Sequence, residues 1–254
     1  MDNYICNITG DKFKLEDKDK TREGGHYHGY NCRFRAICYV LSKMLLGKIC
    51  IFTKIPNMSE KKGLGINDGL WSAICEEKFD YTNLSITDFS TKFNFYDPEF
   101  CEEYGNRDFI ICSEILNHVC PNPGVQTIFD NFYSMLNDNG FLIFSVPFGY
   151  GKHVEHFPGL FKYVIKEIDG KKVLLNITKS DKKEKYSQLT FYNPDDTNSL
   201  EMRIFSANSI REFLNKAGFT DITFHSPKQD LKMKKCGIFW ENECSLVVSA
   251  RKIL

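Results

Sequence analysis

The sequence predicts an α/β protein whose central β-sheet is mostly parallel. Two short apolar runs, 109–112 and 141–146, show no alternation of polar and apolar residues, which is typical of strands buried on both faces. Between them, apolar residues at 125–136 recur at helical spacing. Strands that alternate with helices pair in parallel through right-handed crossovers, so we expect a sheet with helices packed against it.

Composition narrows the class of protein. The chain has 254 residues, of which 42% are hydrophobic, and this is enough for a full core. Its 33 basic and 33 acidic residues balance, so nucleic acid is not favoured as a partner. Ten scattered cysteines, no signal-peptide pattern and no apolar run of about 20 residues predict a cytoplasmic protein with free thiols and no membrane insertion.

Residues 1–36 are predicted to form a small ribbon-like extension. A charged loop at 11–23 follows Cys6 and precedes three further candidate zinc ligands, His26, His28 and Cys32. Thiolates and imidazoles on both sides of a loop are the arrangement of a zinc ribbon. Only Cys6 lies on the first side, so the alternative is a metal-free extension that packing holds in place.

The elements of the core are predicted in chain order. Its first part, 37–147, begins with most of a helix at 33–46, a strand from Lys62 into a glycine turn and a helix at 70–78. Three strands follow at 79–86, 92–96 and 108–112. A helix at 125–136 and a strand at 141–146 end this part. Residues 206–254 complete the core with a helix that Ser206 caps and Gly218 closes, followed by strands at 219–224 and 245–251.

Residues 148–205 break this rhythm. They are predicted to form an antiparallel insertion that covers the strand ends and binds a substrate. Polar and apolar residues alternate at 161–167, 171–178, 189–192 and 200–205. Asp169-Gly170 is a favourable hairpin turn between the first two segments, and 179–185 is expected to be a charged loop.

A glycine loop is the first candidate for cofactor binding. Gly63, Gly65 and Asp68 lie between a predicted strand and a predicted helix, where glycine lets a ligand approach the free N–H groups of the helix. A dinucleotide fingerprint would have a third glycine where Asp68 stands, and this carboxylate would repel a pyrophosphate but suit an ammonium group. The loop therefore favours S-adenosylmethionine over a nicotinamide dinucleotide, with an ordinary turn as the alternative.

Further segments follow this loop at 79–83, 108–119 and 139–147. Their order resembles that of the class I S-adenosylmethionine-dependent methyltransferases. The chain most resembles a small bacterial branch found among enzymes of surface-polysaccharide and sugar modification. The shared motifs are Glu-His-Phe-Pro at 155–158, Leu-Glu-Met-Arg at 200–203, Gly-Ile-x-Trp at 237–240 and a degenerate form of the branch's cysteine-rich ribbon at 6–35.

This resemblance implies a Rossmann-like sheet of seven strands, the last of them antiparallel. It places S-adenosylmethionine contacts at Gly63, Gly65, Asn67, Asp68, Asn83, Asn94, Asp97 and Ser113. It also implies an O-methyltransferase that acts on the hydroxyl of a nucleotide-linked, GDP-heptose-like sugar for capsule or another surface polysaccharide. The alternatives are an NAD-dependent oxidoreductase on the same sheet and a methyltransferase-like binding module without catalysis. We expect a monomer or a homodimer.

Methyl transfer to a hydroxyl needs a base, and histidine is the natural base near neutral pH. His118 and His156 follow predicted strand ends, where ligands bind in open α/β sheets, and Glu155 could orient either histidine or act itself. Alternatively, His153, Glu155 and His156 hold a divalent metal ion that acidifies the sugar hydroxyl. The other interpretation of His118 is a core or helix-capping histidine.

Four residues are candidates for substrate contacts. Glu201 and Arg203 lie two positions apart, so on a strand they share one face. A carboxylate suits a polyol and a guanidinium suits a phosphate, whereas the alternative is a cross-strand ion pair. Tyr192 and Trp240 could stack on a sugar or a base, or pack in the core.

Overall fold

The computed structural model describes residues 2–21, 24–67, 72–84, 96–149, 151–193, 195, 197–239 and 247–253. The N-terminal part contains a hairpin of β1 (Asp2–Ile5) and β2 (Lys12–Leu15), followed by helix α1 (Cys32–Leu46). The core continues with β3 (Met58–Ile66), α2 (Ser72–Lys78), β4 (Phe79–Leu84), α3 (Pro98–Glu103), β5 (Arg107–Ser113), α4 (Val125–Met135) and β6 (Leu136–Ser145).

The second half of the chain adds an insertion and then returns to the core. The insertion consists of β7 (Phe148–Gly149), β8 (Val154–Glu155), β9 (Lys162–Ile168), β10 (Lys171–Ile177), β11 (Lys183–Tyr186) and β12 (Arg203–Ser206). The last elements are α5 (Ala207–Ala217), β13 (Thr220–His225), α6 (Leu231–Lys235) and β14 (Val247–Arg251).

The central sheet has the strand order β13-β14-β6-β5-β3-β4 in the part of the chain that the structure describes. β4, β3, β5 and β6 pair in parallel, whereas β14 runs antiparallel to both β6 and β13. The predicted α/β fold and its antiparallel last strand are therefore confirmed. The structure describes six of the seven expected strands. The remaining one, predicted at 92–96, lies outside the described residues except for Tyr96.

Helix boundaries follow from local capping. α1 begins where the Asn31 side chain accepts a hydrogen bond from the Phe34 N–H, and it ends at Gly47, which adopts φ 67°. α5 begins with a reciprocal capping box of Ser206 and Ser209 and ends at Gly218 with φ 100°. α1 packs against β6 and β14, and α5 packs against α4 and β13. These contacts bury the apolar side of each helix against the sheet or a neighbouring helix.

The insertion has its own small core and differs in two places from expectation. Asp169 and Gly170 both have positive φ, and they join β9 and β10 as predicted. The predicted loop at 179–185 was wrong in part, because 183–185 belong to β11, where Glu184 bonds the side chains of Asn176 and Tyr186. The predicted strand at 189–192 is only a bridge between Phe191 and Leu200.

The N-terminal hairpin packs against α6 and the residues that follow it, where the Tyr4 ring contacts the Phe239 ring. Its buried side chains belong to the same hydrophobic cluster as the strands of the sheet: Tyr4, Cys6, Ile8, Phe13 and Leu15. The extension at 1–36 therefore shares the main core over its described residues. Among the helices that the structure describes, none is long and apolar enough to span a membrane.

Candidate functional site

The turn after β3 begins later than the sequence indicates. β3 continues to Ile66, and Asn67 then adopts φ 62°. The Asn67 backbone N–H donates to the Leu84 carbonyl at 3.0 Å, and its Nδ2 donates to the Ser113 carbonyl at 3.0 Å. Asn67 thus ties together the carboxyl ends of β3, β4 and β5, the edge where ligands bind in open α/β sheets. Asp68, the predicted partner of an ammonium group, lies outside the described residues.

Gly63 and Gly65 lie inside β3, which corrects the predicted position of the glycine loop. A Cβ on Gly63 would come within 2.4 Å of the Phe109 ring and 2.5 Å of the Tyr81 ring. Gly65 pairs with Asn83 on one side and Ile111 on the other. The aromatic rings of the two neighbouring strands therefore explain why position 63 is a glycine. The spacing of glycines in the sequence does not indicate this requirement.

The other predicted cofactor residues lie at or near this edge. Ser113 is fully buried, and its hydroxyl accepts a hydrogen bond from Arg33 Nη1. Asn83 lies near the end of β4, and its buried Oδ1 has no hydrogen-bond partner within the described ranges. Asp97 caps α3 by accepting from the Glu99 N–H at 3.0 Å. Asn94 lies outside the described residues.

Both ring nitrogens of His118 are engaged. Nδ1 lies 2.9 Å from the Leu200 carbonyl oxygen, and Nε2 lies 3.0 Å from Asn117 Nδ2. A carbonyl can only accept, so Nδ1 donates to Leu200, and Nε2 faces the side-chain amide of Asn117. The Asn117 carbonyl accepts from the Met202 N–H at 2.8 Å. His118 and Asn117 therefore join the loop after β5 to segment 200–203.

A buried ion pair joins the two motifs of the insertion. Arg203 Nε donates to Glu155 Oε1 at 2.6 Å, and Arg203 Nη1 donates to the Leu116 carbonyl at 2.7 Å. His153 Nε2 lies 3.0 Å from the same Glu155 oxygen. Arg203 is fully buried, so it does not face solvent as a phosphate-binding group would. This is the cross-strand ion pair that the sequence left open as the alternative.

A second pair lies beside the first. His156 Nε2 lies 3.2 Å from Glu201 Oε1, with side-chain exposures of 32% and 22%. This imidazole and carboxylate are therefore reachable from solvent. Tyr192 is 73% exposed on the insertion, and Trp240 lies outside the described residues.

Neither predicted metal site forms in the described part of the chain. No group of three or more His, Cys, Asp or Glu side chains there is arranged to hold a metal ion. His153 and Glu155 meet, but His156 pairs with Glu201 instead, because consecutive residues of an extended segment point to opposite sides. Cys6 is buried in the core, and the Cys32 thiol contacts the Phe239 backbone. His28 is exposed beside Asp11. His26 joins no such group.

Two tyrosines near Cys120 were missed from the sequence. The Tyr96 hydroxyl donates to the Cys120 carbonyl at 3.3 Å, and the Tyr163 hydroxyl lies 3.4 Å from the Cys120 thiol. Burial, followed by the nearby Cys120, raises the pKa of Tyr96 to about 12, against the opposing effect of Arg203. The hydroxyl is therefore protonated at neutral pH. No sequence motif indicates these residues, because the two tyrosines and Cys120 come into contact only when β9 packs against the loop after β5.

The fold and the site together define a class. An open α/β sheet with polar side chains gathered at the carboxyl ends of its parallel strands is the architecture of a ligand-binding enzyme core. The family model for the methyltransferase domain matches residues 64–223, and the chain belongs to that family. The predicted enzyme class, an S-adenosylmethionine-dependent methyltransferase, is thereby confirmed, and the oxidoreductase alternative is not.

Several solved structures are similar in fold. A 1,6-didemethyltoxoflavin-N1-methyltransferase from Burkholderia thailandensis shares 14% identity over 86% of this chain and 79% of its own, with TM-score 0.45. An S-adenosylmethionine-dependent methyltransferase from Clostridium acetobutylicum has 10% sequence identity over 89% of this chain and 94% of its own, with a TM-score of 0.47. A sugar N-methyltransferase from Streptoalloteichus has 10% sequence identity over 87% of this chain and 88% of its own, with a TM-score of 0.48. Similarities at these identities and TM-scores do not indicate which acceptor molecule this chain methylates. Among curated proteins, no sequence matches the chain.

Proposed function

We propose that the chain transfers a methyl group from S-adenosylmethionine to a hydroxyl of a sugar. We further propose that the sugar is nucleotide-linked and serves capsule or another surface polysaccharide. One observation carries the proposal: the two motifs that resemble the sugar-modifying branch, 155–158 and 200–203, lie side by side. Glu155 and Arg203 are register partners, and the His156 N–H donates to the Met202 carbonyl at 2.9 Å.

His156 is the proposed general base. With a proton on Nε2, its ring donates to Glu201, and Nδ1 keeps a lone pair that can take the proton of the acceptor hydroxyl. Glu201 then stabilises the imidazolium that forms. Such a base contributes about 10²- to 10⁴-fold in rate. S-adenosylmethionine supplies a sulfonium methyl, and the chain must hold the acceptor oxygen in line with it at about 3–3.5 Å.

Glu155 of the buried pair is suited to contact a sugar. Its side chain is 25% exposed, whereas Arg203 is fully buried. A sugar hydroxyl can donate a hydrogen bond to a carboxylate oxygen. We therefore propose that Glu155 contacts the acceptor and that Arg203 positions Glu155. Exposed Tyr192 is suited to stack on the nucleotide part.

His118 is proposed as a positioning residue rather than a base. Its Nε2 is already engaged by the Asn117 amide and its Nδ1 already donates to Leu200, so neither ring nitrogen is available to a substrate proton. These bonds fix segment 200–203, which includes Glu201. Replacement of His118 would therefore reduce turnover by displacing Glu201.

The described residues fit the cofactor at the edge of the sheet. The unpartnered Asn83 Oδ1 can accept a hydrogen bond from a ribose hydroxyl. Asn67 and Ser113 shape the ends of β3 and β5, the edge at which ligands bind in open α/β sheets. Contacts from Asp68 and Asn94 stay predictions, and a divalent metal has no place in this proposal.

Calorimetry and turnover together test the proposal. We expect the wild-type protein to bind S-adenosylhomocysteine and to methylate a member of a panel of nucleotide-linked and free sugars, as followed by mass spectrometry of the acceptor. His156→Gln should keep its affinity for S-adenosylhomocysteine and lose about 10²- to 10⁴-fold in turnover. His28→Gln, an exposed histidine far along the chain, is the matched control and should behave as wild type.

Three results would contradict parts of the proposal. Binding of NAD without binding of S-adenosylhomocysteine would contradict the proposed activity and favour the oxidoreductase alternative. Cofactor binding without methylation of any sugar would overturn the acceptor class and revive the non-catalytic alternative. Full turnover by His156→Gln would remove His156 from the mechanism.

A further inference from the structure

We infer that one face of the small antiparallel sheet in the insertion docks the protein on an anionic membrane surface. This sheet has the strand order β11-β10-β9. The docking is peripheral, by side chains of the sheet, and it requires neither the cofactor nor the sugar acceptor. It therefore goes beyond the proposed function and is tested apart from it.

The inner face of this sheet is covered by the core of the insertion. Side chains alternate between the two faces of a strand, and the cross-strand register places Ile165, Leu174 and Tyr186 in one row. These three side chains pack with Phe157 and Leu160. The residues at the alternate positions of the three strands form the opposite side, which we call the outer face.

The outer face consists of lysines and aliphatic residues. Its members are Lys162, Val164, Lys166, Ile168, Lys171, Val173, Leu175, Ile177, Lys183 and Lys185. Within these three fully described strands no acidic residue shares this face, because Glu167 and Glu184 occupy positions of the inner face. The outer face therefore carries five positive charges, in a chain whose 33 basic and 33 acidic residues balance.

Lysines and aliphatic residues alternate across the strands as well as along them. The register gives two rows at one end of the outer face: Lys162, Ile177 and Lys183, then Val164, Leu175 and Lys185. Ile177 separates the two lysines of its row, which avoids a directly opposed pair of like charges. Residues of these two rows line a concavity of about 510 Å³. The sheet thus presents a basic surface with an apolar middle.

Three aliphatic residues of the outer face are exposed. Val164 is 46% exposed, Ile177 39% and Ile168 36%, whereas Val173 is buried. Phe161, just before β9, is 41% exposed. A contiguous group of exposed apolar side chains marks an interaction surface. At a bilayer, such side chains can enter the boundary of headgroups and acyl chains, while flexible lysine stems keep their ammonium groups among the lipid phosphates.

The charge of the outer face is suited to anionic lipids. Each lysine near an anionic bilayer strengthens binding by about fivefold. A seven-residue strand such as β9 is about 20 Å long, so several lysines of this face can reach one membrane surface together. Charge attraction and apolar contact then act at the same place.

Other occupants fit the outer face less well. Proteins bind nucleic-acid bases through aromatic, arginine and amide side chains, and the ten residues of this face include none of these. A second copy of the chain in a two-fold symmetric contact would bring the five lysines of one face against the same five of the other. Charge complementarity therefore favours an anionic lipid surface.

Vesicle co-sedimentation of the full chain tests the inference. We expect the wild type to bind vesicles of phosphatidylcholine with about one-third phosphatidylglycerol and to stay in solution with pure phosphatidylcholine. The triple variant Lys162→Gln, Lys183→Gln and Lys185→Gln should bind the anionic vesicles about 100-fold more weakly, at about fivefold per lysine.

Two further variants separate charge from position and from apolar contact. Lys232→Gln, Lys234→Gln and Lys235→Gln change three exposed lysines of α6, so the net charge falls equally, and binding should stay within about threefold of wild type. Val164→Thr with Ile177→Thr keeps every lysine and should bind about 3- to 10-fold more weakly. Circular dichroism and thermal unfolding check that each variant is folded.

Four results would overturn the inference. Binding to neither kind of vesicle, or equally to both, would remove the anionic membrane as the partner. Equal losses in the two triple variants would show an effect of overall charge. Tighter binding to a single-stranded oligonucleotide than to vesicles would assign the outer face to nucleic acid. A homodimer that Val164→Thr with Ile177→Thr dissociates would assign it to a second copy. The assays contain no cofactor or sugar, so none of these results bears on the proposed function.

Discussion

Arg203 Nε donates to Glu155 Oε1 at 2.6 Å, and this contact joins β12 to β8 across 48 positions of sequence. Arg203 is fully buried, whereas the Glu155 side chain is 25% exposed. The pair therefore sits at the boundary between the packed interior and the proposed acceptor site. It links the stability of the insertion to the geometry of the proposed site.

Removal of Arg203 is expected to destabilise the protein strongly. Arg203→Met leaves the Glu155 carboxylate partly buried without its cation, and breaking a buried pair in this way costs about 3–5 kcal/mol. Urea unfolding measures the change. The double variant Arg203→Met with Glu155→Gln should lose less than the sum of the single variants, because it removes both charges. A loss below about 0.5 kcal/mol, as expected for exposed Arg211→Met, would contradict a structural role for the pair.

Gly63→Ala is expected to lower the free energy of unfolding by about 1–3 kcal/mol, because the added methyl overlaps the rings of Phe109 and Tyr81. Gly151 has open space around its ideal Cβ, so Gly151→Ala is the matched control and should change stability by less than about 0.5 kcal/mol. Thermal unfolding compares the two variants. Equal stabilities, with cofactor affinity lost in Gly63→Ala, would instead favour the cofactor role predicted from the sequence.

Asn67 should be sensitive to backbone conformation. Its φ of 62° is strained for alanine by about 1–2 kcal/mol but not for glycine. Asn67→Ala and Asn67→Gly both lose the hydrogen bond to the Ser113 carbonyl, so their difference isolates the strain. We expect Asn67→Ala to be less stable than Asn67→Gly by about 1 kcal/mol in urea unfolding. The opposite order would show that the turn relaxes out of the left-handed region.

His225 should make the protein sensitive to acid. Burial, helped by Lys43 and opposed by Asp230, lowers the pKa of His225 to about 4 from 6.5. Between these values the unfolded chain binds the proton and the folded chain does not. The stability contribution is therefore complete above pH 6.5 and is lost as the pH falls towards 4, by about 3 kcal/mol.

Urea unfolding at pH 7 and pH 4 measures this contribution. His225→Gln removes the titrating group while keeping a polar side chain near Ser249, so its loss of stability between the two pH values should be smaller by about 3 kcal/mol. The same acid loss in both proteins would show that other groups account for it.

Much of the fold was open to prediction because local chemistry specifies it. Periodic apolar residues place α1 and α4, and uniform apolar runs place β5 and β6 within one to five residues of the observed bounds. The Asp169-Gly170 turn forms because two successive residues with positive φ match the twist of a hairpin. In each case, residues adjacent in the chain carry the whole signal.

The site was only partly open to prediction, because its geometry depends on contacts between distant segments. Sequence motifs made Glu155, His156, Glu201 and Arg203 candidates, but they did not indicate which of these side chains would pair. The glycine turn was placed too early, since the rings that require Gly63 come from neighbouring strands. Arg33 carries no motif at all, and only the packing of α1 against the sheet brings its guanidinium to Ser113. Sequence patterns report the periodicity of one element, whereas a binding site is built from side chains of several elements whose relative positions depend on the packed core.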